Sequence, residues 1–457
     1  DKISTLKKRR TASEIFHRLQ EVYSMKKRRI AALLVAWAAA FGTLAGCSSA
    51  KSGEIVIVNG GSGGTKNEKQ INVFGYKADT LTLLALENSM HGFMNLNTDI
   101  NVMYEGVKGK AYWDAFDKRS AADVLDDAFM VDRDRAIRLI AEDKLADLSD
   151  VLNVEDFSDV VRGQMTAADG GIYFVPTCVT SYGMYVNYDL LNKHGKSVPE
   201  SLEELSEVCD YFVSQNITPL VINNYSSLRT LIIAAGMYGV YQSENRPQII
   251  AEFNSEPVKI AQYLESGINL VGEMISRKWI DCAEARTTSQ ASGDLDIFVK
   301  GERPFMITGS WASVLLAEKL KNGTSFNYGI HPYPVLSGGG VAVIDMDSCY
   351  SVNAESAYAD EAKKLISYLT EPDVLSEYCN GQSGYTPVKN TRVPADKAVA
   401  PTTEYLKNGR YVLGSDFNIN FRLDTYLIEC GTGMLGGMSA AEAYALLKDK
   451  LSVKEGE

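Results

Sequence analysis

Gly60, Ser62 and Gly64 stand in a G-x-S-x-G pattern, the spacing that lifts a serine nucleophile onto a tight turn between a strand and a helix. The segment that follows, "TKNEKQ" (65–70), has no helical pattern, so such a nucleophile would lack its support. Residues 47–457 hold three histidines, His91, His194 and His331, which are isolated and form no H-E-x-x-H pair. Histidine-base and metal chemistry therefore have little to draw on. Asp123, Asp126, Asp127, Asp132 and Asp134 crowd one segment and invite a calcium reading, but the alternating Asp/Asn and closing Glu of an EF-hand loop are missing. A solvated, partly capping set is the expectation. Cys178, Cys209, Cys282, Cys349, Cys379 and Cys430 make no C-x-x-C or other short pair, which disfavours structural zinc and leaves disulfide pairing open. No glycine-rich phosphate loop with its Lys and Ser/Thr is present. The expected inventory is no metal, no cofactor and no catalytic residue.

Cys47 has a different setting. It follows Leu44, Ala45 and Gly46, behind Met25, the basic run 26–29 and about fifteen mostly apolar residues, "IAALLVAWAAAFGTL". That is the charged-then-apolar layout of a secretory signal, and the apolar run is shorter than the roughly 20 residues a membrane span needs. Residues 44–47 resemble a bacterial lipobox, in which the cysteine thiol takes a diacylglyceryl group and becomes the new N-terminus after cleavage. Residues 1–24 are accordingly read as an extension from an unused upstream start, 25–46 as a lipoprotein signal peptide, and the Ser-, Gly- and Lys-rich 47–70 as a lipidated flexible tether. The remainder is expected outside the cytoplasmic membrane, anchored to its outer face by the lipid on Cys47.

The elements behind this leader read as α/β. Residues 47–457 carry 36 basic and 55 acidic side chains, a net charge of −19, which disfavours nucleic acid and acidic lipid as partners. Their length exceeds what one hydrophobic core usually organises, so two lobes are expected. From Ile71 strands alternate with helices: strand 71–76, helix 80–97, strand 99–105, helix 111–122, strand 123–130, helix 132–146. "VPESLEELSEVCDYFVSQNI" sets Ser201 three residues ahead of Glu204, a capping box, and Leu202, Leu205, Cys209 and Phe212 give the helix an apolar stripe. Residues 358–381 read as two helices broken at 370–372 by Pro372. Trp113 and Trp279 fall inside helical patterns and read as core.

Four blocks carry a family likeness. "GGIYFVPTCVTSYGMYVNYDLLNKHGKSVPESLEEL" (170–205) resembles the extracellular solute-binding proteins, family 1, the sugar-binding subunits of bacterial ABC importers, where a "GKxYxxP" strand leads to a "xxYNxDLxxxxG…PxTWxEL" block. "FVKGERPFMITGSWASV" (298–314), "EPDVLSEYCNGQSGYTPVKN" (371–390) and "LIAEDKLADLSD" (139–150) are similar to further segments of that family, in the same order. The chain departs from the pattern at Phe74 and Tyr76, where Trp is common, and at Ser201 and Leu202, where "TW" is usual. The resemblance implies a two-lobed, flytrap-like α/β fold with a ligand cleft, residues 71–177 plus 343–395 forming lobe 1 and 178–342 plus 396–457 lobe 2, with "SGGGVAV" (337–343) as a hinge. It also implies a monomeric receptor that captures a sugar, an oligosaccharide, and hands it to the permease subunits of an ABC transporter.

A sugar presents hydroxyls at its rim and apolar C–H faces, so a site needs aromatic platforms with polar groups at the edges. Trp311 leads the candidates: "PFMIT" reads as a strand, Gly309 permits a turn, Ser310 can cap, and the ring falls at a strand-to-helix junction. Tyr76, Asp132, Tyr182, Asn224, Tyr225, Asp347 and Tyr385 follow, each at the end of an expected element. A carbohydrate-active hydrolase with paired carboxylates, a receptor for a non-sugar solute and a scaffold without a small ligand are the rival readings.

Overall fold

Val175–Asn187, "VPTCVTSYGMYVN", and Gly339–Val352, "GGVAVIDMDSCYSV", are rich in β-branched and aromatic residues and almost wholly buried, the composition of strands enclosed on both faces. In the computed structural model, which describes residues 55–59, 69–321, 323, 325–389 and 394–453, they form β5 and β10. The two run antiparallel, from Tyr182 opposite Val343 to Val175 opposite Tyr350. Each changes its other neighbours along its length. At one end β10 pairs through Cys349–Val352 with β4 (Ala128–Val131), which continues into β2 (Lys69–Gly75), β3 (Ile100–Val107) and β1 (Ile55–Asn59). At the other, β5 pairs through Tyr182–Asn187 with β7 (Phe305–Gly309) and β8 (Tyr328–His331), and β7 with β6 (Leu220–Ile222). β9 (Tyr333–Leu336) and β11 (Tyr411–Leu413) flank the start of β10. One sheet is thus shared by two lobes, each an α/β layer with its own helices.

Local chemistry explains where the helices start. Asp132 caps the helix Arg133–Ala141 by accepting from the Arg135 N–H at 2.9 Å. Ser201 caps Leu202–Ser214 by accepting from Glu204 N–H at 3.3 Å, while the Glu204 carboxylate accepts from Glu200 rather than from Ser201. The capping box is therefore half formed, and Leu205, Val208, Cys209 and Phe212 supply the buried stripe. The helices Ala359–Leu369 and Pro372–Gly381 break where Pro372 forbids continuation.

Several expectations change. Within 47–70, expected to be a flexible tether throughout, Ile55–Asn59 form β1 against β3 and Lys69 and Gln70 open β2, because their backbones pair into the sheet. The strand expected over 123–130 begins only at Ala128, because Asp123 takes a left-handed backbone (φ +53°) and Asp126 and Asp127 turn to Arg119 and to the Asn72 N–H. The helix expected over 132–146 stops at Ala141, ahead of Asp143 at φ +55°, and Leu145 bridges to Asn353. The segment 337–343, expected as a hinge, begins with the turn in which Ser337 and Gly338 close the hairpin between β9 and β10, and Gly339 adopts φ +114°, a conformation that suits glycine. Cys47, the signal segment and the G-x-S-x-G pattern lie outside the described residues. Among the described residues no helix is long and apolar enough to cross a membrane.

In the second lobe the helices Ser227–Tyr241 and Ala261–Ser276 meet at glycines. A Cβ on Gly267 would fall 2.2 Å from the Ile232 carbonyl oxygen, whereas one on Gly239 would meet nothing within 4 Å. Gly267→Ala is expected to lower stability by about 1–3 kcal/mol as the helices part, and Gly239→Ala to be neutral or to stabilise by up to about 1 kcal/mol, both read from denaturant unfolding.

Candidate functional site

The first wall of the site grows from the end of β2. The Tyr76 hydroxyl donates to Asp347 at 2.7 Å and accepts from the Ser348 N–H at 2.8 Å, so both its hydrogen-bonding roles are filled and its ring is fixed. Lys77 reaches the other Asp347 oxygen at 2.8 Å, and both charged groups are buried. Burial pushes the Asp347 carboxyl up, but the Lys77 charge and the surrounding donors outweigh it and hold the group below its ordinary value. The Tyr76 ring leans on Tyr112 and Trp113, each 5.6 Å away between centroids. Trp113 is half-buried, not enclosed core as its helical position suggests, and the Arg135 guanidinium lies 4.4 Å over its ring. Arg135 is held in turn by Asp117 and Asp132. Burial keeps the Asp132 carboxyl above its ordinary range in spite of Arg135.

The opposite wall comes from the second lobe. Past β6, the Asn223 side-chain oxygen accepts from the N–H groups of Tyr225 and Ser226 at 3.1 and 2.9 Å, an Asx turn that projects Tyr225 outward. Asn223 donates at 3.2 Å to Asp294, whose fully enclosed carboxyl is pushed up to about 6 by burial. Tyr225 leaves 46% of its surface open, yet its hydroxyl is pushed up to about 12, first by burial and then by the charge of Asp132 across the gap. Past β7, Ser310 does not cap a helix. It is buried, and its hydroxyl bonds Thr180 at 3.1 Å and accepts from the Ser181 N–H. Trp311 follows half-buried, its indole folded back over Gly309, where a Cβ would sit 2.2 Å from Nε1. Gly309 pairs with Tyr182 on β5, so Trp311 lies near the floor of the crevice.

Tyr182 is that floor. It is buried, with the Arg229 guanidinium 5.8 Å from its ring. Arg229 is saturated, donating to Asp345 and Asp424 at 2.9 Å each, to the Gly414 carbonyl and to Ser415. Tyr76, Asp132, Tyr182, Tyr225, Trp311 and Asp347 are thereby brought into one region. Asn224 turns its side chain to the Arg286 carbonyl at 3.2 Å, and Tyr385 bonds Thr403 at 3.0 Å while its backbone pairs with Val179; both stand apart. Sequence reasoning did not place Trp113, Arg135 or Asp345 in this region. The helical spacing of Trp113 and Phe116 signals burial, not which end of the ring is wet. The acidic cluster is taken up by neighbours, Asp123 by Lys144, Asp126 by Arg119, Asp127 by Ser356 and Asp134 by Arg133. Among the described residues no group of His, Cys, Asp and Glu could hold a metal ion, and Trp279 is enclosed, its indole N–H on Asp210.

A family profile described as bacterial extracellular solute-binding protein matches residues 90–406. No curated protein matches the sequence. Among solved structures, the fold is similar to that of the solute-binding protein RafE in complex with raffinose, at a TM-score of 0.64 and 19% identity, covering 84% of this chain and 100% of that one. A sugar transporter protein from Bacillus licheniformis in complex with stachyose matches at 0.64 and 16%, covering 83% and 98%. Maltose-bound MalE3 of T. maritima matches at 0.66 and 18%, covering 84% and 98%. At these identities the likeness establishes the two-lobed fold.

The Lys77–Asp347 pair yields a signed expectation. Lys77→Met strands a buried carboxylate and should cost about 3–5 kcal/mol at neutral pH. The wild-type pair stabilises above the ordinary carboxyl range and loses that contribution as pH falls through the lowered Asp347 value. The penalty of the variant should therefore shrink as pH is lowered toward about 4, where its carboxyl becomes protonated; denaturant unfolding at both pH values reads the difference.

Proposed function

The chain belongs to the bacterial extracellular solute-binding proteins, and from that premise we propose that it captures a neutral carbohydrate, an oligosaccharide, between its lobes and delivers it to the permease of an ABC importer. The observation that carries this reading is the set of aromatic rings offered from both sides of the crevice, Tyr76 and Trp113 from one lobe and Tyr225 and Trp311 from the other. Rings of this kind match the C–H faces of a pyranose. The charges support neutrality. Lys77, Arg133, Arg135 and Arg229 each contact a carboxylate, so these four cations are already matched without an anionic solute. Raffinose, stachyose and maltose, the solutes named with similar folds, are neutral as well.

In this proposal Trp311, Tyr225 and Trp113 contact the sugar, with Tyr182 beneath it and Asp132 at the edge, while Asn224, turned to the Arg286 carbonyl, holds its loop. Asp347 acts through Tyr76, and Tyr385 steadies the link between lobes. Residues 71–177 with 343–395, and 178–342 with 396–457, are the two moving bodies. A lipid on Cys47 would hold a monomeric receptor at the outer face of the membrane, near the permease. No hydrolysis is proposed, since Asp132, Asp345 and Asp347 are each engaged by a cation and none stands free as general acid or base.

A thermal-shift series of the purified protein against neutral mono- and oligosaccharides tests the reading. A saccharide at 100 times its dissociation constant should stabilise by about 2.7 kcal/mol, and Trp311→Ala should abolish that shift, measured against the variant's own ligand-free melting temperature. Absence of a shift with every saccharide, or recovery of a cleaved sugar, contradicts it.

A further inference from the structure

A crevice that closes on a solute needs contacts present when the lobes meet and absent when they part. Away from the aromatic walls, a buried set of side chains crosses between the lobes. Arg133, 3% exposed, opens the helix that Asp132 caps, just past β4 in the first lobe. It donates to the Ile419 carbonyl at 2.9 Å, and its Nε lies 3.6 Å from Asp424, at the start of the helix Leu423–Leu435 in the second lobe. Next to it, Asp134 accepts from the Thr425 hydroxyl at 2.8 Å. Nearby, Gln164 of the first lobe donates to Asp416 at 2.8 Å and accepts from the Phe417 N–H at 2.7 Å, and Phe174 stacks on Phe417 at 4.4 Å. The segment 414–425 is therefore held by both lobes at once.

We propose that Arg133 and Asp134, facing Ile419, Asp424 and Thr425, form an interlobe latch that keeps part of the protein closed without ligand and couples closure to the ligand wall on the same helix. Two features make it reversible. Each charge keeps a partner on its own side when the lobes separate: Arg133 has Asp134 at 2.5 Å, and Asp424 has Arg229 at 2.9 Å and the Ser415 hydroxyl at 2.6 Å. Neither state strands a buried charge, so the gap between them stays small. The Arg133 Nε is also buried without a hydrogen-bond partner, which marks the joint where the set parts at least cost. Coupling follows from the chain itself, since Asp132 caps this helix and Arg135, one turn on, covers Trp113.

The inference rests on the two-lobed receptor reading, but its test needs no sugar. Small-angle scattering of the ligand-free protein compares wild type with Asp424→Asn and with Thr425→Val, each checked for cooperative melting. The latch predicts a larger radius of gyration in both variants, with the closed fraction falling by about tenfold in Asp424→Asn, within the usual range of coupling between sites, and by less in Thr425→Val. Should Asp424→Asn fail to fold, Thr425→Val decides, because it removes one interlobe hydroxyl and no charge. Scattering unchanged from wild type in a folded variant overturns the latch, whichever solute the crevice takes.

Discussion

The antiparallel pairing of β5 with β10 is the constraint on which the rest of the molecule hangs. Both strands are longer than either lobe requires, and each exchanges its outer neighbours midway, β10 leaving β4 for β11 and β9, β5 taking up β7 and β8. A sheet shared in this way cannot slide, because a one-residue slip would turn every buried side chain to the wrong face. It can twist between the two partner sets. Three side chains at that exchange belong to the candidate site: Tyr182 on β5, and Asp345 and Asp347 on β10, the two carboxylates turned to different lobes. Asp347 binds Lys77 and Tyr76 on one side; Asp345 binds Arg229 on the other.

In the proposed site, the charged groups hold rings and loops. Lys77 and Asp347 fix Tyr76, Asp117 and Asp132 fix Arg135 over Trp113, and Arg229 ties Asp345 to Asp424. Such groups pay their desolvation cost within the protein and leave apolar faces and neutral polar edges for a solute. The same arrangement fits a mechanism of population shift, in which ligand contacts made only in the closed form draw the lobes together.

Much of this was legible in the sequence, and the reason differs by residue. The break at Pro372, the Ser201 cap and the strand-to-helix junction at Trp311 are set within a few residues, so local pattern finds them. The ordered blocks indicate the two-lobed fold. The failures are non-local. Lys77 and Asp347 lie 270 positions apart and Arg229 and Asp424 lie 195 apart, and no local spacing announces such pairs. Three glycines at 338–340 suit a hinge and a hairpin equally well, and only the register of β9 with β10 reveals the hairpin turn there. Trp113 reads as core because periodicity reports a buried face without saying that its rim opens on a crevice.

Saturation-transfer difference NMR with raffinose, stachyose and maltose tests the central claim most directly, because it detects sugar C–H faces lying on protein rings. The account expects strong transfer to pyranose C–H protons for at least one of these sugars, with the sugar unchanged after the experiment and the transfer lost when Trp113 and Trp311 are both replaced by alanine. No transfer from any of the three, or the appearance of new reducing-end signals, would contradict it.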